Sequence, residues 1–247
     1  MTRVLLILPA FNEEKNIRNT VAQIQSYTPP EGVLVDYLVI NDGSTDNTEK
    51  VCRENGIACL SLLQNLGIGG AVQTGYIYAV KKGYDIAVQF DGDGQHDIHS
   101  LDKLLLPIME NRADFVVGSR FLGTGSSFQS TWLRRVGIRW LAFLIRLISG
   151  VRLTDVTSGY RAAGKRALRF LASHYPADYP EPESIVSLCR NRFCICEVPV
   201  TMFERRYGSS SIRFGKSIYY MLKVSFAIVC AGIAERTVRK ETTQEVE

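Results

Sequence analysis

The chain opens on an apolar run, Arg3 to Leu8, rich in branched side chains. After Pro9-Ala10-Phe11-Asn12 the spacing becomes helical, with Ile17, Val21 and Ile24 recurring on one face. This order of strand, polar loop and helix then repeats. Tyr37 to Ile40 predicts a second strand leading into Asn41-Asp42-Gly43-Ser44-Thr45-Asp46, whose Ser, Thr and Asp can cap the helix that carries Val51 and Cys52. A third strand near Ala58 to Leu62 precedes a glycine-rich turn and a helix from Gly70 to Lys82. Ile86 to Phe90 predicts a fourth strand, followed by acidic residues, a helix over Leu101 to Met109 and a fifth strand at Phe115 to Val117. Strands alternating with helices predict a mostly parallel α/β sheet between helix layers. Ligands of such sheets bind beyond the carboxyl ends of the strands, so the polar loops should converge on one crevice.

Beyond residue 120 the pattern changes. Trp132 to Val151 mixes Trp132, Leu133, Trp140, Leu141, Phe143, Leu144 and Leu147 with Arg134, Arg135, Arg139 and Arg146, the signature of a basic amphipathic helix. Ile218 to Ala234 is apolar almost throughout, contains Lys223, and falls short of the ~20 residues a spanning helix needs. The organisation predicted is a domain over 1–215, an apolar membrane- or partner-associated helix over 216–236 and a polar tail over 237–247. The expected location is peripheral, on the cytoplasmic face of the cell membrane.

Composition narrows this picture without redirecting it. With 247 residues, 46% of them hydrophobic and 22% charged, the chain can bury one full core and carry a short appendage. The six cysteines show no paired CxxC spacing and no cleavable signal opens the chain, which fits a reducing cytoplasm. A formal net charge of +4 is too small to argue for a nucleic-acid partner.

The densest chemistry lies in Gln89-Phe90-Asp91-Gly92-Asp93-Gly94-Gln95-His96-Asp97. Carboxylates alternate at a strand end, and the intervening glycines let the backbone turn tightly and approach a ligand. Hard oxygen ligands at this spacing suit Mg²⁺ or Mn²⁺ shared with a diphosphate. A calcium loop or a solvated acidic turn has the same spacing, but an EF-hand requires helices on both sides and here an apolar strand comes first. Asp91, Asp93 and Asp97 are therefore the expected centre of the site. Asp42, at the tip of the second strand, and Glu13, at the exit of the first, are placed to accept hydrogen bonds from a base or ribose, although Asn41-Asp42-Gly43-Ser44 also reads as a plain turn and cap. Asn65-Leu66-Gly67-Ile68-Gly69-Gly70 looks like a phosphate-cradling loop but lacks a Walker lysine.

Taken in order, Pro9-Ala10-Phe11-Asn12-Glu13-Glu14, Asn41 to Asp46, Asn65-Leu66-Gly67, Asp91-Gly92-Asp93-Gly94-Gln95-His96 and Gly118-Ser119-Arg120 resemble the family 2 glycosyltransferases of GT-A fold. Thr154-Asp155-Val156-Thr157-Ser158-Gly159-Tyr160-Arg161 and Arg205-Arg206-Tyr207-Gly208-Ser209-Ser210-Ser211 are similar to the polyprenyl-phosphate (dolichyl-phosphate-type) sugar synthases. Tyr179-Pro180-Glu181-Pro182-Glu183-Ser184 is similar to a small bacterial subgroup acting on undecaprenyl phosphate with N-acetylglucosamine or glucose, and working with a small membrane partner.

The resemblance implies roles. Pro9, Asn12, Glu13, Asp42 and Gly69 would hold the nucleotide; Asp91 and Asp93 would handle the ribose-diphosphate and the metal, with Gln95 beside them. Arg120, one or both of Arg134 and Arg135, and Arg205 would hold the diphosphate and the acceptor phosphate, since guanidinium forks match phosphate oxygens. The implied partners are a nucleotide-sugar donor, a polyprenyl-phosphate acceptor and a small membrane protein or second copy of the chain, with no nucleic acid. A phosphate acceptor is already anionic, so its oxygen needs no strong base, and the displacement would invert the anomeric centre. Asp93, Arg120, Arg205 and Asp155 would carry the reaction. Asp155 would orient the acceptor or a sugar hydroxyl, or serve as base if the acceptor were an alcohol; it fits a cap on the Ser158-Gly159 turn equally well. Two other classes stay open: transfer to a saccharide or protein hydroxyl, which needs a carboxylate base such as Asp155 or Glu183, and a non-catalytic nucleotide-sugar-binding regulator.

Overall fold

In the computed structural model, residues 1–122, 132–203 and 221–233 are described. The order is β1 (Thr2–Ala10), α1 (Ile17–Ser26), β2 (Val33–Asn41), α2 (Thr48–Glu54), β3 (Cys59–Ser61), α3 (Gly67–Lys81), β4 (Ile86–Gln89), α4 (Leu101–Met109), β5 (Phe115–Ser119), α5 (Trp132–Ser149), β6 (Arg161–Gly164), α6 (Lys165–Ser173), α7 (Pro180–Arg190) and β7 (Ile195–Pro199). A last helix, α8, spans residues 221–233. The seven strands form one sheet in the order β3-β2-β1-β4-β6-β5-β7. β6 runs antiparallel to both neighbours and the other pairs are parallel. The expected mostly parallel α/β class holds.

Both faces of the sheet are covered. Val4, Leu6, Leu8 and Val88 pack under α1 and α4, whereas Leu5, Ile7, Ala87 and Phe115 pack under α3 and α6. Opposite-facing neighbours are both buried, which explains why β1 reads as a continuous apolar run. α3 crosses β1 closely at Gly75, where an added Cβ would fall 2.3 Å from Ile7 Cγ2. The sequence reading omitted β6, α6 and α7, and of β7 it has only the strand-like alternation of Cys194 and Cys196. β6 and β7 are four and five residues long, and β6 carries a charge, so neither offers a sustained periodic signal.

A third cluster joins the last helices. Leu141 and Ile145 of α5, Ile185 and Val186 of α7, and Val224 and Ile228 of α8 are buried together. Trp140 Nε1 donates to Ser225 Oγ at 3.1 Å and ties α5 to α8. Away from that seam the apolar stripe stays open: Trp132, Val136, Trp140, Phe143 and Leu147 on α5, and Leu222, Phe226, Val229 and Ile233 on α8, are exposed. Exposed Arg135, Arg139 and Arg146 accompany the stripe on α5. No helix among the described residues is long and apolar enough to cross a membrane. The predicted boundary at 215 and the polar tail lie outside the described residues.

Candidate active site

β1, β2 and β4 are adjacent and end together, bringing the loops after Ala10, Asn41 and Gln89 side by side. The first two loops are laced by side chains. Asn12, at a left-handed φ of 58°, accepts through Oδ1 from the Thr45 and Asp46 N–H groups at 2.8 and 3.3 Å. In return its own N–H donates to Ser44 Oγ at 3.0 Å. Asp46 Oδ1 accepts from the Thr48 N–H at 2.9 Å at the start of α2, whereas the N-cap position itself is Asn47, which makes no side-chain cap bond. Asp42 is buried, and its Oδ1 accepts from the Leu66 N–H at 2.7 Å, leaving Oδ2 for a ligand.

The third loop is an acidic turn propped from behind. Asp93 Oδ1 accepts from the Gln95 N–H at 3.0 Å, and Gln89 Nε2 donates to Asp91 Oδ1 at 3.2 Å. His96 is buried beneath them and stacks on Tyr160 with centroids 4.5 Å apart, while Phe90 meets both rings edge-on. Burial holds the His96 imidazole below its ordinary pKa, against the pull of Asp91 and Asp93. The neutral ring then accepts the Asp91 N–H on Nδ1 at 3.1 Å, which assigns its proton to Nε2, 3.4 Å from Asp91 Oδ2. Gln95 Nε2 donates to the Phe203 carbonyl at 3.3 Å, so its Oε1 is the atom available to a cation. Asp91, Asp93 and Gln95 line one cavity, and their oxygens are of the hard class that suits Mg²⁺ or Mn²⁺, although the described residues contain no cluster of three or more His, Cys, Asp or Glu placed to hold a metal ion.

The fourth wall comes from the end of β5. Arg120 donates from Nε to Asp155 Oδ2 at 2.6 Å and from Nη2 to Asp155 Oδ1 at 2.7 Å, with a further bond from Nη2 to Thr157 Oγ1. Glu197 of β7 accepts from the Thr154 and Asp155 N–H groups at 2.8 and 2.7 Å and fixes the loop behind the pair. Gly159 lets this loop reach the acidic turn, since a Cβ there would lie 2.9 Å from Asp91 Oδ2. Together the walls enclose an open cavity of about 820 Å³ lined by Pro9, Asn12, Glu13, Asp42, Asp91, Asp93, Gln95 and Arg120, among others.

A sequence profile of glycosyl transferase family 2 matches residues 5–171. The chain belongs to that family. The transferase is 33% identical to a UDP-N-acetylglucosamine–dolichyl-phosphate N-acetylglucosaminyltransferase of Methanococcus voltae, over 89% of this chain and 94% of that one. It is 31% identical to an undecaprenyl-phosphate mannosyltransferase of Micrococcus luteus, over 86% of this chain and 88% of that one. Among solved structures it resembles glucosyl-3-phosphoglycerate synthase of Mycobacterium tuberculosis in complex with Mn²⁺ and UDP-glucose, at a TM-score of 0.65 and 21% identity, covering 94% and 79% of the two chains. That likeness establishes the fold, the GT-A arrangement expected from the motifs.

Within the transferase some candidates fall elsewhere than expected. Asp97 is not among the cavity-lining residues: its carboxylate caps the short 3₁₀ turn Ile98–Ser100, accepting from the His99 N–H and Ser100 Oγ at 3.1 and 3.3 Å. Gly69 lies in the first turn of α3, which begins at Gly67, and is not among the cavity-lining residues. It is buried where an added Cβ would fall 2.4 Å from the Ala177 carbonyl oxygen, so its role is close packing. Asp155 is fully buried behind Arg120 rather than facing the cavity. Arg135 is exposed on α5, apart from the cavity residues. The Arg134 side chain and all of Arg205 lie outside the described residues. The sequence reading missed the supporting roles of Gln89, His96 and Glu197. Gln89 was legible in principle, as a polar residue in an otherwise apolar strand; Glu197, 42 residues from the amide it holds, was not.

Proposed function

We propose that this glycosyltransferase moves a sugar, N-acetylglucosamine or glucose, from a UDP-sugar to a polyprenyl phosphate of the undecaprenyl type, inverting the anomeric centre. The observation that carries the reading is that Asp91, Asp93, Gln95, Arg120, Asp42 and Asn12 all line one cavity. Support for a lipid-phosphate acceptor comes from the Methanococcus and Micrococcus relatives, whose names specify dolichyl phosphate and undecaprenyl phosphate. Support for UDP and a divalent cation comes from the first relative's name and from the mycobacterial complexes, which contain UDP-glucose with Mn²⁺ or UDP with Mg²⁺.

In this mechanism the acceptor phosphate oxygen attacks the anomeric carbon, and the bond from that carbon to the diphosphate breaks, releasing UDP with the bonding pair. Asp91, Asp93 and Gln95 would hold a Mg²⁺ or Mn²⁺, which would supply charge neutralisation on the diphosphate. Asp42 and Asn12 orient the nucleoside. Arg120 presents a guanidinium whose Nε and Nη2 are fixed by Asp155, a preorganised positive charge at the place where negative charge develops. The resemblance of the Arg205 motif to the polyprenyl-phosphate sugar synthases supports a second guanidinium for the acceptor phosphate, from a residue outside the described ones. No residue has to remove a proton from a phosphate that is already ionised.

A hydroxyl acceptor fits less well. Of the two candidate bases, Asp155 accepts three hydrogen bonds from Arg120 and has no cavity face, and Glu183 is not a lining residue. The exposed apolar stripe of α5 and α8, with arginines beside it on α5, supports our reading of a peripheral enzyme on the cytoplasmic membrane face, working with a small membrane-protein partner. The test is incubation with undecaprenyl phosphate and a panel of UDP- and GDP-sugars, followed by mass spectrometry of the lipid. An undecaprenyl-phosphate hexose or N-acetylhexosamine supports the reading; sugar found only on a saccharide or protein overturns it.

A further inference from the structure

The motif Tyr179 to Ser184 has no task in the mechanism above, yet it forms the first turn of α7 beside the cavity. Pro180 and Pro182 fit there because the first-turn N–H groups have no helical acceptor. Between them Glu181 lines the cavity, together with Asp91, Arg120, Thr157 and Gly159. Burial raises its carboxyl above the usual range, and the Arg161 charge opposes that rise. Among the described residues its only hydrogen-bond donor is its own backbone N–H. A carboxylate left with open lone pairs on a cavity wall needs donors when the cavity fills and water leaves.

The turn is held by an unusual group. Arg161 of β6 is fully buried, and its guanidinium donates to backbone carbonyls and one hydroxyl. Nε bonds the Ser158 carbonyl, Nη2 the Val156 carbonyl at 2.9 Å, and Nη1 both the Glu181 carbonyl at 2.6 Å and Ser184 Oγ at 3.1 Å. One buried cation thus clasps the 154–160 loop, which carries Thr157 and Gly159, to the turn that carries Glu181. A buried charge is costly to keep without such a task.

A diphosphate offers Glu181 no donors and repels it, and the nucleoside belongs at the Asp42 and Asn12 end. The hydroxyls of a hexose do offer donors. We propose that Glu181 is a specificity-determining residue that accepts hydrogen bonds from hydroxyls of the donor sugar, and that Arg161 is the positioning residue that sets it through its backbone. The proposal rests on the nucleotide-sugar reading of the cavity.

The test is calorimetric binding of UDP, UDP-glucose and UDP-N-acetylglucosamine, with Mg²⁺, to the full chain and to Glu181→Ala, Glu181→Gln and Arg161→Lys. Hydrogen bonds to a charged group predict that Glu181→Ala weakens both UDP-sugars by about 10- to 100-fold and leaves UDP within about twofold, with Glu181→Gln losing less. Arg161→Lys should reproduce the sugar-selective loss. A residue that only supports the fold would weaken UDP and UDP-sugar alike, and that result, or unchanged UDP-sugar binding in Glu181→Ala, overturns the proposal. If Arg161→Lys does not fold, the two Glu181 variants decide. Failure of the unaltered chain to bind any UDP- or GDP-sugar removes the nucleotide-sugar reading itself, whereas lipid-linked product from the unaltered chain with full sugar binding by Glu181→Ala removes this proposal alone.

Discussion

Arg120 and Asp155 form a two-pronged ion pair, 2.6 and 2.7 Å across its prongs, with the carboxylate fully buried and the arginine 7% exposed. The same carboxylate also accepts the Arg120 backbone N–H at 3.1 Å. Asp155 therefore acts through Arg120: it fixes the fork from behind, and it is not free to take a proton from an acceptor. Removing one partner of a buried pair strands the other charge at a cost of roughly 3–5 kcal/mol. Asp155→Ala should lower the melting temperature by several degrees and reduce transfer. Arg120→Lys keeps the charge but not the fork, and should reduce transfer with a smaller loss of stability. Thermal denaturation and initial rates of both variants check this. Unaltered rates in Arg120→Lys would make the arginine a structural residue only.

The acidic turn depends on His96 in a similar way. Phenylalanine in its place would keep the stack on Tyr160 but leave the part-buried Asp91 N–H without its acceptor, a cost of about 1–3 kcal/mol at most. His96→Phe should therefore fold and bind Mn²⁺ in the presence of UDP about tenfold more weakly or worse, since 1.4 kcal/mol is a factor of ten. A titration followed by Mn²⁺ relaxation measures it, and wild-type affinity would contradict the supporting role given to the ring.

How far the sequence reaches is clear from these residues. The first half of the sheet was legible because β1, the end of β2 and β4 are buried on both faces and the loop after each carries its own polar signature. Asp91, Asp93, Gln95 and Asp42 were legible as residues of one crevice because they follow strand ends, where a parallel sheet gathers its loops. The Arg120–Asp155 pair was not, since neither motif states that the two residues face each other across 35 positions. Asp97 misled the reading because its spacing matches a ligand and equally matches a cap. Gly69 misled it because glycine serves close packing as readily as phosphate approach.

The cysteines give a prediction that depends on pH. Cys59, partly exposed on β3, lies beside the buried Cys52 thiol, and that neighbour holds its thiol below the ordinary value, at about 7. Burial pushes Cys189 up to about 11. Thiolate is the reactive form, so iodoacetamide should label Cys59 with a rate that climbs through a midpoint near pH 7 and flattens above it. Cys189 should stay slow over that range. Mass-spectrometric peptide mapping at several pH values checks the order, and Cys52→Ala should move the Cys59 midpoint upward.

The open stripe on α5 and α8 predicts binding to anionic vesicles. The double variant Phe143→Glu with Phe226→Glu places charges on two exposed side chains, 55% and 71% accessible, without touching the buried seam. Co-sedimentation with phosphatidylglycerol vesicles should fall several-fold or more, while UDP affinity stays unchanged. Equal vesicle binding by the variant and the unaltered chain would assign the stripe to a protein partner alone.

The most direct test of the central claim is the partition of radiolabel from a UDP-sugar between water and organic solvent after incubation with undecaprenyl phosphate. The cation-diphosphate site predicts that label enters the organic phase with release of UDP, that EDTA stops it and Mg²⁺ or Mn²⁺ restores it, and that Asp93→Ala folds but leaves the label in water. Label that never enters the organic phase, or transfer that continues undiminished in excess EDTA, would contradict the account.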